Sequence, residues 1–370
     1  MTPDFARAKT LVIKIGSALI VDGAAPRTGW IDGVAADIAA ARARGTQIIV
    51  VSSGAIALAR PVLKLTKRRL RLEEKQAAAA VGQIRLAQAW TAALAAHGLI
   101  AAQLLLTLED TEDRRRYLNA RATLSTLLGL GCIPVINEND TVATAEIRFG
   151  DNDRLAARVA EMVQADQLLL LSDIDGLYTA DPKRDPAATH LPVITALTPE
   201  IEAMGGDPPP GYSSGGMRTK LVAARIATQA GCAMAIALGH TDRPLAALLE
   251  GARCTWFLPA EDGRSARKRW IGGSLHPAGI ITIDPGAARA LAAGRSLLPA
   301  GVRAIDGEFD RGDPVLIQST TGTILARGLS AYGSADARRI AGHKSTDIEA
   351  LLGWRGRDEL IHRDDLTLTG

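Results

Sequence analysis

The sequence predicts an α/β protein: a mostly parallel central sheet with helices on both faces, forming a three-layer sandwich, followed by a small β-rich domain. Three observations carry this. Short, continuously apolar runs alternate with longer alanine-rich amphipathic stretches through the first two-thirds of the chain. The apolar runs end in polar tails. After about residue 258 the pattern changes to short strands broken by frequent turns. Runs apolar throughout, rather than alternating, belong to strands buried on both faces, and helices between them make parallel βαβ units.

The strand candidates, in order, are TLVIKIG (10–16), QIIVVSSG (47–54), IPVINEND (133–140), QLLLLSD (167–173) and AMAIALG (233–239). Helical patterns lie between them near 29–44, 72–97, 113–130, 151–164 and 217–231. In sheets of this kind ligands collect at the carboxyl ends of the strands. The tails SSG, NEND and SD fall there. Residues 259–275, rich in charge and glycine, read as a linker between a first domain, 1–258, and a second, 276–370. The second domain offers strands in GIITID, RAIDG, RGDPVLIQ and TILARGL, then a helix in SADARRIAG.

Composition narrows the function classes. A chain of 370 residues with 47% hydrophobic content and a mean hydropathy of +0.08 has a substantial core. Its 43 basic and 40 acidic residues leave a net charge of +3, a weak signal for a polyanionic partner. Three scattered cysteines, Cys132, Cys232 and Cys254, suggest reduced thiols and a cytoplasmic location. The start MTPDFARAKT has no apolar leader core, and no run reaches the roughly 18 apolar residues of a membrane span. Neither the six histidines nor the cysteines show zinc-site spacing.

Five motifs could carry chemistry. VIKIGSAL puts Lys14 inside an apolar strand, either facing water from an edge or contacting phosphate from a strand end. VVSSGAIALA breaks a strand into Ser53-Gly54-Ala55 ahead of a helix, which is either an ordinary serine cap or an anion site. VINENDTV gathers Asn137, Glu138, Asn139 and Asp140 behind a strand, fit for a plain loop, an ammonium group or a cation. LLLLSDIDG ends a buried strand in Ser172-Asp173. SSGGMRTK places Gly215 and Gly216 before a helix whose first turn includes Lys220. This is no Walker A loop, yet flexible amides, a helix N-terminus and a cation are the parts of a phosphate cradle. The arginine clusters at 67–71, 113–116 and 264–269 read most simply as solvated faces.

Together these motifs set two lysines, two glycine-serine loops and several carboxylates at strand ends, with no histidine or cysteine recurring. That suggests phosphoryl transfer, in which catalysis is mostly positioning and charge neutralisation. A carboxylate acceptor, with a pKa of about 4.3, is already ionised at neutral pH and needs no general base.

The ordered set VIKIGSAL, VVSSGAIALA, PVINENDTVATAEIRFGDND, LLSDIDGLYTADP and GGMRTK resembles the amino acid kinase family. The NENDTVATAEI and FGDND blocks, with HRDD near the C-terminus, are similar to its bacterial members that act on glutamate. HPAGIITIDPGAARAL and RRIAGHKSTDIEALLG resemble the PUA domain. The resemblance covers nearly the whole chain. It implies ATP-dependent phosphorylation of the L-glutamate γ-carboxylate, with aspartate, acetylglutamate, carbamate or UMP as alternative acceptors, and an RNA-binding protein on a kinase-like scaffold as the rival class. It further implies that Lys14 and Lys220 neutralise the transferring phosphoryl group, with Asp153 between them. Ser53, Gly54 and Ala55 would hold the acceptor end of glutamate, and Asp140 and Asn152, with Asn137 close by, its amino-acid head. Ser172 and Asp173 would lie along the nucleotide, and Ser214, Gly215, Gly216, Met217, Arg218, Thr219 and Lys220 would cover its phosphates. Mg2+ would bridge the ATP phosphates, with Asp151 as a candidate outer contact. Proline is a candidate feedback inhibitor, RNA a candidate ligand of the PUA-like domain, and a homo-oligomer the expected assembly. One departure stands out: the family's phosphate loop reads glycine-threonine-glycine-glycine-methionine, and here it is Ser213-Ser214-Gly215-Gly216-Met217. Serine in place of the first glycine narrows the backbone freedom of that loop.

Overall fold

The continuous apolar runs become neighbouring strands of one sheet. In the computed structural model, which describes residues 3–23, 25–65, 70–143, 152–206, 216–260 and 277–369, the backbone divides into two units, Met1–Gly263 and Arg264–Gly370. The first unit holds an eight-stranded sheet: β1 (Thr10–Ile15), β2 (Gln47–Ser52), β3 (Ala101–Leu106), β4 (Ile133–Glu138), β5 (Gln167–Ser172), β6 (Val193–Ile194), β7 (Ala233–Leu238) and β8 (Cys254–Phe257). Their spatial order is β6-β8-β7-β5-β1-β2-β4-β3. From β7 to β3 every pairing is parallel, so six strands bring their carboxyl ends to one edge. Only β8 pairs antiparallel, with β7.

Six helices matter for the site: α1 (Thr28–Ala43), α2 (Ala55–Val62), α3 (Leu72–Ala96), α4 (Arg114–Gly129), α5 (Asn152–Val163) and α6 (Met217–Gln229). Successive side chains of a strand point to opposite faces. On β1, Leu11, Ile13 and Ile15 join a core with Trp30 and Ile38 of α1 and Leu86 and Trp90 of α3. Val12 points to the other face and joins Leu155 and Val159 of α5 and Leu221 and Ala224 of α6. Lys14 follows Val12 at the two-residue period, so its side chain is carried to the α5–α6 face. Buried alanines, Ala156 and Ala160 on α5 and Ala223 and Ala227 on α6, keep both helices thin where they pack on the sheet.

Three strands of the sheet differ from the expectation, β3, β6 and β8, of which β6 is only two residues long. Strand β3 was absent from it. As an edge strand it keeps only Leu106 fully buried, and its Ala101-Ala102 start blends into the alanine-rich helix before it. Strand β8, CTWF, is too short to stand out by periodicity.

In the second unit, β9 (Gly279–Ile283), β10 (Val302–Gly307), β11 (Pro314–Ser319), β12 (Ile324–Leu329) and β13 (Leu366–Leu368) form a sheet in the order β10-β9-β11-β12-β13. Alternating residues such as Ile281, Ile283, Val315 and Ile317 face a core that includes Phe309, Tyr332 and Ile340. The helix expected in SADARRIAG spans Ser334–Ile340, and a further helix, Pro285–Ala292, follows β9. Among the described residues no helix is long and apolar enough to cross a membrane.

Candidate active site

The carboxyl edge of the sheet gathers two kinds of polar group. The first is an ionic cluster. Asp153, in the first turn of α5, is 2% exposed and lies between two lysines. Lys14 Nζ, from β1, is 2.5 Å from Asp153 Oδ1, and Lys220 Nζ, from the first turn of α6, is 3.2 Å from Oδ2. Thr219 Oγ1 donates to the same Oδ2 at 2.8 Å. Burial alone would raise the Asp153 carboxyl, but the two ammonium groups and the Thr219 hydroxyl outweigh it and hold the group well below the usual carboxylate range. Two cations and one anion leave this cluster with a net positive charge. An arrangement of that sign, at a helix N-terminus, favours a phosphate and the charge that spreads over it during transfer.

The second is a neutral network. Ser53 lies at the end of β2, and its backbone N–H continues the ladder to Ile15 at 3.0 Å. The chain then turns through Gly54, whose φ of +113° is reached readily only by glycine, into α2. Asn152 Nδ2 donates to Ser53 Oγ at 2.6 Å and to Asn137 Oδ1 at 3.0 Å. Asn137 Nδ2 donates in turn to Gln83 Oε1 of α3 at 2.9 Å. Asn152 Oδ1 is buried and has no hydrogen-bond partner among the described residues. A buried acceptor without a partner is costly, which suits a site awaiting a donor such as an ammonium group. Asp140 is also buried, and burial pushes its carboxyl up to about 6, against the pull of the Lys75 charge.

The structure thus brings together Lys14, Lys220 and Asp153 in one cluster, and Ser53, Asn137 and Asn152 in another. Asn152 and Asp153 are consecutive, so α5 joins the two. Gly54 and Ala55 open α2 beside Ser53. Ser172 ends β5, neighbour of β1, and donates to Asp173 Oδ1 at 3.1 Å, with Asp173 exposed. Gly216 precedes α6, whose first turn holds Met217, Arg218, Thr219 and Lys220. Asp151, Ser213, Ser214 and Gly215 lie outside the described residues.

Sequence reasoning passed over two contributors. Gln83 and Trp90 sit on α3, a helix that reads as alanine-rich packing, and Trp90 Nε1 donates to Ser52 Oγ at 3.0 Å. The only local hint is a polar Gln83 beside Gly82, in a stretch where a Cβ on Gly82 would fall 1.7 Å from the Ala55 carbonyl oxygen.

A parallel sheet carrying a cationic cluster and an amide network at its carboxyl edge defines a phosphoryl-transfer architecture. Residues 9–237 match the profile of the amino acid kinase family, and residues 279–352 that of the PUA domain. The chain belongs to the amino acid kinase family. It is 65% identical over 368 residues to glutamate 5-kinase of Gluconobacter oxydans (strain 621H), covering 99% of this chain and 97% of that protein. It is 63% identical over 372 residues to glutamate 5-kinase of Paramagnetospirillum magneticum (strain AMB-1), covering 100% of both. Among solved structures, carbamate kinase from Giardia lamblia bound to AMP-PNP matches at 17% identity with a TM-score of 0.49, covering 69% of this chain and 99% of that one.

Proposed function

We propose that this chain transfers the γ-phosphoryl group of ATP to the γ-carboxylate of L-glutamate, giving γ-glutamyl phosphate and ADP, the first step of proline synthesis. The observation that carries the reading is the direct abutment, through Asn152 and Asp153, of a net-cationic buried cluster and a neutral amide network. Relatives covering the whole chain bear the matching name, and that disfavours aspartate, acetylglutamate, carbamate or UMP as acceptor and an RNA-binding scaffold as the main role.

In this reading a γ-carboxylate oxygen of glutamate attacks the γ-phosphorus, the bond from phosphorus to the β,γ-bridging oxygen breaks, and ADP departs with the electron pair. No proton need be removed from the nucleophile, and the two clusters hold no histidine among the described residues. Lys14 and Lys220 stabilise the charge on the transferring group, and Asp153 holds both ammonium groups aimed. Ser53 with the amides of Gly54 and Ala55 seats the γ-carboxylate. Asn152 Oδ1 and Asp140 take the ammonium group, with Asn137 supporting Asn152. Ser172, Asp173 and the start of α6 lie along the nucleotide. Among the described residues the Asp153 oxygens are engaged by the two lysines and Thr219. Magnesium is assigned to the ATP phosphates, where it neutralises charge.

The reading takes residues 1–258 as the kinase domain, 259–275 as a linker and 276–370 as a PUA-like accessory unit whose ligand class to test, by filter binding, is RNA. Proline inhibition and homo-oligomer formation belong to it and are tested by adding proline to the assay and by sedimentation. The primary test is incubation with ATP, Mg2+, glutamate and hydroxylamine. The expected product is γ-glutamyl hydroxamate, and folded protein that yields none contradicts the proposal.

A further inference from the structure

One stripe of α3 reaches three separate parts of the acceptor half of the site. Gln76, Gln83 and Trp90 are spaced by seven residues, close to two helical turns, and so share a face. Gln76 Nε2 donates to the Ala143 carbonyl at 3.0 Å, Gln83 Oε1 accepts from Asn137, and Trp90 Nε1 donates to Ser52 Oγ. Gly82, on the same helix, lets the backbone of Ala55 pack directly on it. Helix α3 therefore ties the loop after β4, the end of β4 and the end of β2 to one rigid element.

The middle contact has a consequence for binding. A side-chain amide has a donor end and an acceptor end, so a chain of amides transmits its direction. Gln83 presents its acceptor end, Oε1, to this network, and Asn137 directs Nδ2 toward it and Oδ1 toward Asn152. Asn152 then turns Nδ2 to Asn137 and Ser53, which leaves Oδ1 as a buried acceptor without a partner among the described residues. Asn137 is 4% exposed, so water is a poor substitute partner. Were Asn137 reversed, Asn152 would follow and present its N–H groups to the incoming ammonium, donor against donor.

We propose that Gln83 is a positioning residue for the acceptor substrate: through Asn137 it fixes which end of the Asn152 amide faces the ligand. This rests on the kinase reading above, in which Asn152 Oδ1 takes the ammonium group of glutamate.

The test compares Gln83→Glu, which keeps the acceptor, with Gln83→Met, which removes it at similar size. Steady-state hydroxamate kinetics on the full chain should show KM for glutamate raised about fivefold to tenfold in Q83M, the worth of one oriented hydrogen bond. KM for ATP and kcat should stay within about twofold, and Q83E should behave like the parent, a rescue that simple loss of packing does not predict. In an Asn137→Ala background, Q83M should add less than about twofold, because its route to the substrate is gone. A glutamate KM unchanged in Q83M, equal losses for both substrates, a Q83E as impaired as Q83M, or full additivity with Asn137→Ala would each overturn the assignment. Should Q83M not fold by its thermal melt, Gln83→Ala carries the same comparison. An inactive parent overturns the kinase reading and this inference with it, whereas an active parent with an indifferent Q83M overturns this inference alone.

Discussion

The phosphate half of the site sets one buried carboxylate within ion-pair reach of two lysines, whereas the acceptor half is built of neutral amides and hydroxyls. Two buried carboxylates, Asp153 in the first half and Asp140 just past the end of β4, are shifted in opposite directions. Asp153 is flanked by two ammonium groups and stays ionised far into acid, while Asp140, among the described residues, has the Lys75 charge to set against its burial and rises to about 6. The difference teaches what each half is built to receive. The phosphate half completes its own ion pairs and keeps a surplus of positive charge for an anion. The acceptor half leaves the buried Asn152 Oδ1 without a hydrogen-bond partner among the described residues, which in the proposed reading a cationic head group completes.

The largest effect expected from breaking this contrast is at Asp153. Asp153→Ala leaves two ammonium groups buried without their counter-ion, which should cost about 3–5 kcal/mol of stability by denaturant titration. In protein that remains folded, kcat should drop by roughly a thousandfold, since the aim of both lysines is lost. On the other side, Asp140→Ala should raise KM for glutamate by about 10- to 100-fold and spare kcat, as expected for loss of a charged hydrogen bond made to substrate throughout the reaction.

Titration sharpens the comparison without mutation. Protonated Asp140 is a poor partner for an ammonium group, so KM for glutamate should climb as pH falls through about 6, while KM for ATP does not follow it. The same shift has a stability consequence of definite sign. A carboxyl whose folded pKa is raised adds stability fully present below its unfolded pKa, near 3.8, and lost as pH rises through about 6. Asp140→Asn should therefore stabilise the protein at pH 7.5, by an amount on the order of 2 kcal/mol, and do little at pH 4. For Asp153, depressed, the stability is present above its unfolded value and fades only in strong acid, so its contribution is intact across the neutral range. A smaller effect is expected from Gly82→Ala, whose added methyl would press on the Ala55 carbonyl. Parting α2 from α3 in this way should cost about 1–3 kcal/mol, read as a lower Tm.

How much of this was legible in the sequence follows from the range of each interaction. Strands β1, β2, β4, β5 and β7 declare themselves as uninterrupted apolar runs, and their polar tails marked the edge where Ser53, Asn137, Ser172 and Lys220 now stand. Strand β3 did not, because an edge strand needs only one buried face and its alanines match the helix before it. Lys14 was ambiguous by itself. Its position as a central-strand residue on the α5–α6 face depends on which strands flank β1, a property of topology that no local window holds. The Gln83–Asn137–Asn152–Ser53 chain joins four separate elements, and the local mark on Gln83 within α3 is no more than Gly82 beside it. Resemblance pointed to the residues of both clusters, Asp153 and Asn137 included, but not to Gln83 or Trp90 of α3, which support them.

In the proposed reading the two halves divide the labour of charge stabilisation and acceptor binding, and Lys220→Ala separates them. Hydroxamate kinetics across a glutamate series should show kcat lowered about a hundredfold or more with KM for glutamate within about threefold of the parent, because the Lys220 charge matters most as negative charge spreads in the transition state. A tenfold rise in KM for glutamate with kcat retained would contradict the account.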